Sequence, residues 1–458
     1  MSNEPQPNNR RLALFPLPFQ GHINPMHQLA NILHTKGFKI TIIHTRFNSP
    51  NQSNYPQFTF KSISDGLSES KNKNLNPDNP NSVINFLNKS CIDPLRDCLV
   101  KLQEEEPIAC LISDALWHFS QSVADSLNLP RIVLRTSSMS CLLVYAALPL
   151  LNKNGFLIKT IFEEEEEEDE EPIPDLSPIT EKDILEIFND VDCKDGVLDL
   201  IFSMIKTTKA ASGIIWNTFK ELEEPAFSAI TKDFCIPSFP IGPFHKYFPA
   251  SSSSLLEQDR SVMSWLDLQP VRSVVYVSFG SIAQMGEAEF SNMAWGLAKS
   301  KQRFLWVVRP GSVFGSEWLQ YLPQGFIEEV GERGCIVKWA PQQEVLAHGA
   351  IGVFWTHSGY NSTLESICEG VPMICSPYAY DHPIIARYVT DVWRVGVMLD
   401  KGKEEEIGKK VRSVIMEEEG SEMRQRSKFL QEKVNRSMKE GGSSYESLEN
   451  LVDLIISL

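Results

Sequence analysis

Short runs of Val, Ile and Leu alternate with stretches of helical period along most of the chain. Leu12–Leu17 reads as a strand, the Gly-His-Ile-Asn-Pro sequence at Gly21–Pro25 as a turn, and Met26–His34 as a helix, so the chain opens on a βα unit. Lys39–His44 supplies the next strand. Further strand patterns follow at Ala109–Ser113, Arg131–Arg135 and Gly213–Trp216, with a helical pattern at Phe119–Leu127. Repeated βαβ predicts an α/β protein with a mainly parallel sheet covered by helices.

From Cys235 to Gln258 the period lapses into Pro, Gly and a Ser251–Ser254 run, which is linker chemistry. The alternation then resumes at Val274–Ser278, a helix near Glu287–Ser300, Phe304–Val308, Cys335–Lys338, Gly352–Thr356 and Met373–Ser376. The expected organisation is a first domain over residues 1–240, a linker over 241–258, a second α/β domain over 259–440 and a terminal helix over 441–458. Leu448, Leu451, Val452, Leu454, Ile455 and Ile456 give that helix an apolar stripe, which needs a surface to dock on.

A chain of 458 residues, 42% apolar and 22% charged, is a globular protein of two or three domains and not a disulfide-stapled module. Its net charge is −16, but nine of the negatives form one run, Glu163–Glu171, and the rest balances at −7. That run reads as a solvated loop. Nothing resembles the basic stripe that phosphate backbones require, so nucleic acid is not an expected partner, and anionic membrane surfaces are disfavoured on the same ground. The nine cysteines, including Cys193, contain no C-x-x-C and read as reduced, mostly buried thiols. The polar N-terminus leads into an apolar run broken by Pro16 and Pro18, too short for a signal core or a membrane span. The expectation is a cytoplasmic, monomeric enzyme or binding protein with no integral membrane association.

No G-x-G-x-x-G follows the first strand, so the dinucleotide fingerprint is absent. The first turn holds His22 instead, at the carboxyl end of a strand, where it suits either a general base or a turn and packing role. Asp114 ends the strand Ala109–Ser113 and is placed either to cap the next helix or to face the same edge. Together the two offer a base and the carboxylate that orients it. In the second domain Trp339-Ala-Pro-Gln342 follows a strand, and His357-Ser-Gly-Tyr-Asn-Ser362 follows another and opens a helix. Small polar residues at a helix N-terminus make a bed for a diphosphate, and Ser278-Phe-Gly-Ser281 offers a second set of donors. Ser362 and Glu365 also match S-x-x-E, an ordinary capping box, so Glu365 is open between cap and ligand contact.

Taken together, Trp339, Pro341, Gln342, His348, Gly352, His357, Gly359, Asn361, Ser362, Glu365, Gly370, Val371, Pro372, Pro377 and Asp381 fall in register with a nucleotide-sugar signature. The segment resembles that of plant family 1 UDP-glycosyltransferases, and the resemblance extends to FPLPFQGHINP, CLISDALWHFSQSVADSLNLP, SGIIWNTFKELE, SVVYVSFGS and GGSSYESLENLV. Within the family the chain is most similar to the subfamily of the stevia steviol-glycoside glucosyltransferase.

The resemblance implies the GT-B fold, two Rossmann-like domains facing across a cleft, with the terminal helix packing back on the N-terminal domain. It implies that Trp339 stacks on uracil, Gln342 contacts the nucleoside and Glu365 holds the ribose hydroxyls. His357, Gly359, Asn361, Ser362 and Ser281 would hold the diphosphate, with no metal and no cofactor besides the co-substrate UDP-sugar. His22 would deprotonate a small-molecule acceptor, Asp114 would steady the imidazolium, and one displacement would invert the anomeric carbon. Thr136 aligns near the sugar.

Two sugar-site positions depart from the family pattern, Tyr360 for the usual Trp and His382 after Asp381 for the usual Gln. An imidazole cannot reproduce the paired contacts of an amide. The resemblance places UDP-glucose narrowly ahead of UDP-galactose and UDP-arabinose, and the acceptor as a terpenoid, a phenolic or their glycosides; Trp117 and the apolar Met139–Leu151 segment suit either pocket walls or ordinary core packing, the latter at least as well. A catalytically weak relative that binds an apolar ligand or UDP is the alternative. A nicotinamide oxidoreductase is disfavoured by the missing fingerprint.

Overall fold

Continuous apolar runs become parallel strands because a sheet covered by helices on both faces offers no solvated side. The computed structural model describes residues 9–67, 79–153, 171–187, 194–248, 256–399 and 402–458. Cys193, the Ser251–Ser254 run and, apart from Glu171, the acidic run lie outside the described residues. Two units emerge, one within Met1–Glu164, Asp190–Leu255 and Arg436–Leu458, the other within Glu165–Asn189 and Leu256–Asn435.

The first unit holds β1 (Arg11–Phe15), β2 (Lys39–Thr45), β3 (Thr59–Ile63), β4 (Ile108–Asp114), β5 (Arg131–Arg135), β6 (Gly213–Trp216) and β7 (Ser238–Pro240). They form one parallel sheet in the order β3-β2-β1-β4-β5-β6-β7. Side chains of β1 alternate between two cores. Leu12 and Leu14 join Met26, Leu29 and Leu33 of the helix Gln20–Thr35 on one face, while Ala13 and Phe15 join Leu95, Leu99 and Val123 on the other.

The terminal helix Ser443–Ser457 completes the first of these cores with Leu448, Leu451 and Ile455, so its apolar stripe docks on the N-terminal unit as expected. Each of those side chains contributes roughly 1.5–3 kcal/mol on burial. Ser444 Oγ adds a hydrogen bond to the Gly242 carbonyl at 2.7 Å.

Two sequence expectations are corrected here, and one left open is decided. The helix after β1 begins at Gln20, so Gly21–Pro25 is its first part and not a preceding turn. Pro25 lies inside this helix and has no N–H to give the Gly21 carbonyl, so one bond of the helical ladder is missing there. Residues 241–248, assigned to the linker, are part of the first unit, where Ile241 and Phe244 are fully buried. Trp117 is fully buried and stacks on Phe15 with ring centroids 4.7 Å apart, so of its two readings the structure realises core packing.

The second unit holds β8 (Val274–Ser278), β9 (Arg303–Val307), β10 (Gly334–Val337), β11 (Ile351–Thr356), β12 (Met373–Cys375) and β13 (Gly396–Met398). Their order is β10-β9-β8-β11-β12-β13, again all parallel. Val275, Val277, Trp306, Val353 and Trp355 pack with Phe290, Met293 and Leu297 of the helix Glu287–Ser300. Residues 171–187, expected in the first domain, group with this second unit, and Ile179, Ile184 and Ile187 are buried. All eight described cysteines are free thiols, five of them buried. Among the described residues no helix is long and apolar enough to cross a membrane.

Candidate active site

In an open parallel sheet, ligands gather at the carboxyl ends of the strands where the strand order reverses. That point lies between β1 and β4 in the first unit and between β8 and β11 in the second. The candidate residues of the sequence lie at both.

In the first unit His22 sits in the first turn of the helix after β1, Asp114 is the last residue of β4, and Thr136 follows β5. His22 Nδ1 lies 2.7 Å from Asp114 Oδ2 and 3.1 Å from Thr136 Oγ1. The carboxylate is 1% exposed and the imidazole 22%, so the pair is anchored at one end and open at the other. Asp114 Oδ1 accepts the Leu116 backbone N–H at 2.9 Å. The helix Ser120–Ser126 takes no side-chain cap, so of the two readings of Asp114 the structure realises the one that faces His22. Arg131, whose pKa burial pushes down to about 10, is partly compensated by the charges of Asp114 and Asp125. With Nδ1–H donating to the carboxylate, Nε2 is the ring nitrogen left to accept a proton.

In the second unit His357 follows β11 and is wedged between two glycine turns. A Cβ on Gly280, at φ +69°, would come within 2.7 Å of its ring, and one on Gly359 within 2.5 Å. Edge-on against it stands His382, ring centroids 4.6 Å apart. Burial pushes the pKa of His382 down to about 3; burial, with His382 alongside, holds His357 well below the ordinary histidine value. Both rings are therefore neutral near pH 7. Asp381 precedes the helix His382–Arg387, with its Oδ1 3.9 Å from His382 Nε2. Ser358 and Tyr380, the neighbours of His357 and Asp381, both hold positive φ, at +65° and +63°. Such backbone costs of order 1–3 kcal/mol each and persists where the surroundings over-determine it.

Ser362 and Glu365 do not form a capping box. The helix Tyr360–Glu369 begins after Gly359, and Glu365 is held by two amides from the helix Gln342–Ala347. Gln342 Nε2 donates to Glu365 Oε2 at 2.7 Å and to Ser362 Oγ at 2.9 Å, and Gln343 Nε2 donates to Glu365 Oε1 at 2.8 Å. Burial raises the pKa of Glu365, and the amide hydrogen bonds oppose the shift. Asn361 lies on the same helix, Tyr360 is buried at its start, Trp339 follows β10, and Ser281 ends the turn after β8. Among the described residues no group of three or more His, Cys, Asp or Glu side chains is placed to hold a metal ion.

Three contributors were missed in the sequence. Gln343 shares Glu365, and Tyr276 Oη donates to Gln342 Oε1 at 3.2 Å. Arg387, at the end of the helix that His382 opens, binds both oxygens of buried Asp183 at 2.9 Å, and Thr180 N and Oγ1 each donate to Asp183 Oδ2 at 2.8 Å. A second glutamine beside Gln342 was a usable signal. The Asp183–Arg387 pair, separated by 204 positions, had none.

The family model for UDP-glucoronosyl and UDP-glucosyl transferases matches residues 253–424. The chain is 51% identical to UDP-glycosyltransferase 76G1 of Stevia rebaudiana, over 98% of this chain and 97% of that one. It is 48% identical to UDP-glycosyltransferase 76B1 of Arabidopsis thaliana, over 97% and 98%. Among solved structures it is similar to Phytolacca americana UGT2 complexed with UDP-2fluoro-glucose and pterostilbene, with a TM-score of 0.83, 27% identity and coverage of 97% and 99%. A UDP-glucose: anthocyanidin 3-O-glucosyltransferase in complex with UDP matches with a TM-score of 0.84, 26% identity and coverage of 99% and 100%. Two Rossmann-like units with full-length likeness of this kind are the GT-B fold, and the chain belongs to the UDP-glycosyltransferase family.

Proposed function

We propose that this UDP-glycosyltransferase is an inverting O-glycosyltransferase of small, largely apolar plant metabolites, terpenoid, phenolic or their glycosides, using UDP-glucose ahead of UDP-galactose and UDP-arabinose. The observation that carries the reading is the His22–Asp114 pair, 2.7 Å apart at the switch point of the first sheet. His22 Nε2 takes the proton of the acceptor hydroxyl as its oxygen attacks the anomeric carbon. The buried Asp114 carboxylate stabilises the imidazolium that forms. UDP leaves from the opposite side, so the configuration inverts.

The second unit's residues serve the donor. Trp339 stacks on the uracil, Gln342 meets the nucleoside, and Glu365, steadied by Gln342 and Gln343, accepts from the ribose hydroxyls. Neutral His357, with Ser281, Gly359, Asn361, Ser362 and the first N–H groups of the helix Tyr360–Glu369, meets the charge that grows on the diphosphate. The leaving group is satisfied by protein donors and needs no metal. Thr136 supports the reading as a second partner of His22 Nδ1.

Sugar choice rests on Asp381, His382 and Tyr360. His382 Nδ1 is 3.5 Å from the Ala379 N–H, which leaves Nε2–H as its single donor where an amide would offer a donor and an acceptor. The apolar acceptor class is supported by solved relatives whose ligands are pterostilbene and 3,4-dichloroaniline. The test is a donor screen with UDP-glucose, UDP-galactose, UDP-arabinose and UDP-xylose against terpenoid and phenolic acceptors, read by product mass. Glucoside formation supports the reading; transfer only of another sugar corrects the donor, and no transfer from any donor overturns it.

A further inference from the structure

The helix His382–Arg387, whose first residue stands against His357, has little of its own to hold it in place. Six residues are too few for a helix to stand alone, its first turn has no side-chain cap, and beyond Arg387 the chain passes into a π-helical turn, Tyr388–Val392. It is entered through Tyr380, whose φ of +63° is strained for a bulky residue and persists only where the surroundings impose it. What fastens its far end comes from a remote stretch of chain. The helix Glu181–Ile187 packs against it, and Asp183 in that helix does two things. Its Oδ2 accepts from Thr180 N and Oγ1 at 2.8 Å each, while Thr180 Oγ1 accepts the Asp183 N–H at 3.3 Å, a reciprocal cap at the start of its own helix. Arg387 Nε donates to both of its oxygens at 2.9 Å, and Arg387 Nη1 stands 3.7 Å from Asp391. The Asp183 side chain is 4% exposed and that of Arg387 16%.

Desolvation offsets much of the attraction in a buried ion pair, so its net stability is little more than an apolar pair of like volume gives. What the pair adds is direction. A carboxylate already fixed by Thr180 leaves one placement for Nε, and Nε fixes the end of the helix. His382 opens the same short helix, about 7.5 Å back along its axis. Groups that read a substrate must be held within about 0.5 Å, and a shift of about 1 Å costs about a hundredfold. We propose that Asp183 is a positioning residue for the donor sugar, acting through Arg387 to hold Asp381 and His382 in place. This deepens the proposed function and rests on its reading of the sugar site. The groups assigned to UDP lie on other elements, the helices Gln342–Ala347 and Tyr360–Glu369 and the turns after β8, β10 and β11. The pair therefore bears on the sugar and not on the nucleotide.

Asp183→Asn is the decisive substitution, because it leaves the cap and removes the charge. Thr180 N and Oγ1 keep the amide oxygen at the Oδ2 position, which sets the NH2 group against Arg387 Nε. Affinities for UDP and for UDP-2-fluoroglucose, a donor analogue whose fluorine slows transfer, are measured by calorimetry on the full chain for the parent, Asp183→Asn, Arg387→Met and Arg387→Lys. Expected in Asp183→Asn is a fall of about tenfold in the ratio of UDP-2-fluoroglucose affinity to UDP affinity, with UDP affinity within about twofold of the parent. Arg387→Met is expected to do the same. Arg387→Lys, whose Nζ comes within a bond length of the missing Nε, is expected to keep the ratio within about threefold. A residue that serves only the fold would lower the melting temperature and leave the ratio alone. If Asp183→Asn fails to fold, Arg387→Met decides. A ratio within about threefold of the parent's, whether both affinities fall together or neither does, overturns the proposal, as does an Arg387→Lys that loses as much as Arg387→Met. A parent that binds UDP but not UDP-2-fluoroglucose refutes the reading of the sugar site and the proposal with it, and a parent that binds neither refutes the transferase reading.

Discussion

Replacing Asp114 with Asn removes one charge and keeps the shape, and the hydrogen bonds around it fix the new protonation of His22. One carboxylate oxygen accepts the Leu116 N–H at 2.9 Å and the other faces His22 Nδ1 at 2.7 Å. An asparagine must keep its carbonyl oxygen on the Leu116 N–H, because turning the amide would set two donors against each other. Its NH2 group then points at Nδ1, the ring proton moves to Nε2, and the nitrogen that should accept the acceptor's proton carries one instead. The lost attraction adds to this: at about 4 Å and an effective dielectric near 20, a carboxylate and an imidazolium gain about 4 kcal/mol. A fall in kcat of about a thousandfold or more is expected. The assay is UDP release at saturating donor and acceptor, with cooperative melting to show that the fold survives and UDP affinity unchanged, because Asp114 belongs to the first unit. A kcat within tenfold of the parent refutes the tautomer argument.

Gly359→Ala puts a Cβ 2.5 Å from His357 Nε2, and His382 stands edge-on to the same ring, so roughly tenfold or greater loss of UDP affinity is expected by calorimetry; unchanged affinity contradicts it. His382→Gln restores an amide and is expected to raise glucose use over galactose or arabinose by about tenfold, whereas an unchanged donor ratio shows that His382 does not set the sugar. Acid sensitivity arises from His27, His245 and His382, whose pKa values burial pushes to about 4, 3 and 3. The unfolded chain takes up protons near pH 6.5 that the folded one refuses, so this stability is complete above pH 6.5 and drains as pH falls toward 4 and 3. Each group costs about 1.4 kcal/mol per pH unit within that window. Urea midpoints are expected to drop steeply between pH 6.5 and 5, and a flat profile there contradicts the burial.

Central strands were legible because each holds a short run of apolar, mostly β-branched residues: Arg131–Arg135, Gly213–Trp216 and Val274–Ser278 were read to the residue. The strands missed, β3, β7 and β13, are all sheet edges, where half-exposed or very short segments lack the apolar run; β3 has one buried residue of five. The start of the helix after β1 was hidden for a related reason, since Gln20, Gly21, His22 and Asn24 are polar and Pro25 reads as a break. Local patterns misled where tertiary contacts decided: Ser362 and Glu365 have capping-box spacing, yet both serve Gln342. What the two buried β5 arginines touch was equally hidden, since their partners are distant in sequence, Ser113 and Thr207 for Arg131 and Met204 for Arg135.

The most direct test of the central claim is a paired measurement on His22→Ala: product formation from UDP-glucose and an accepted acceptor by mass, and UDP affinity on the same sample. Expected is transfer lowered by at least a thousandfold with UDP affinity within twofold of the parent, since the imidazole serves the proton and not the nucleotide. Equal turnover by variant and parent would contradict His22 as the base, and with it the mechanism proposed for this enzyme.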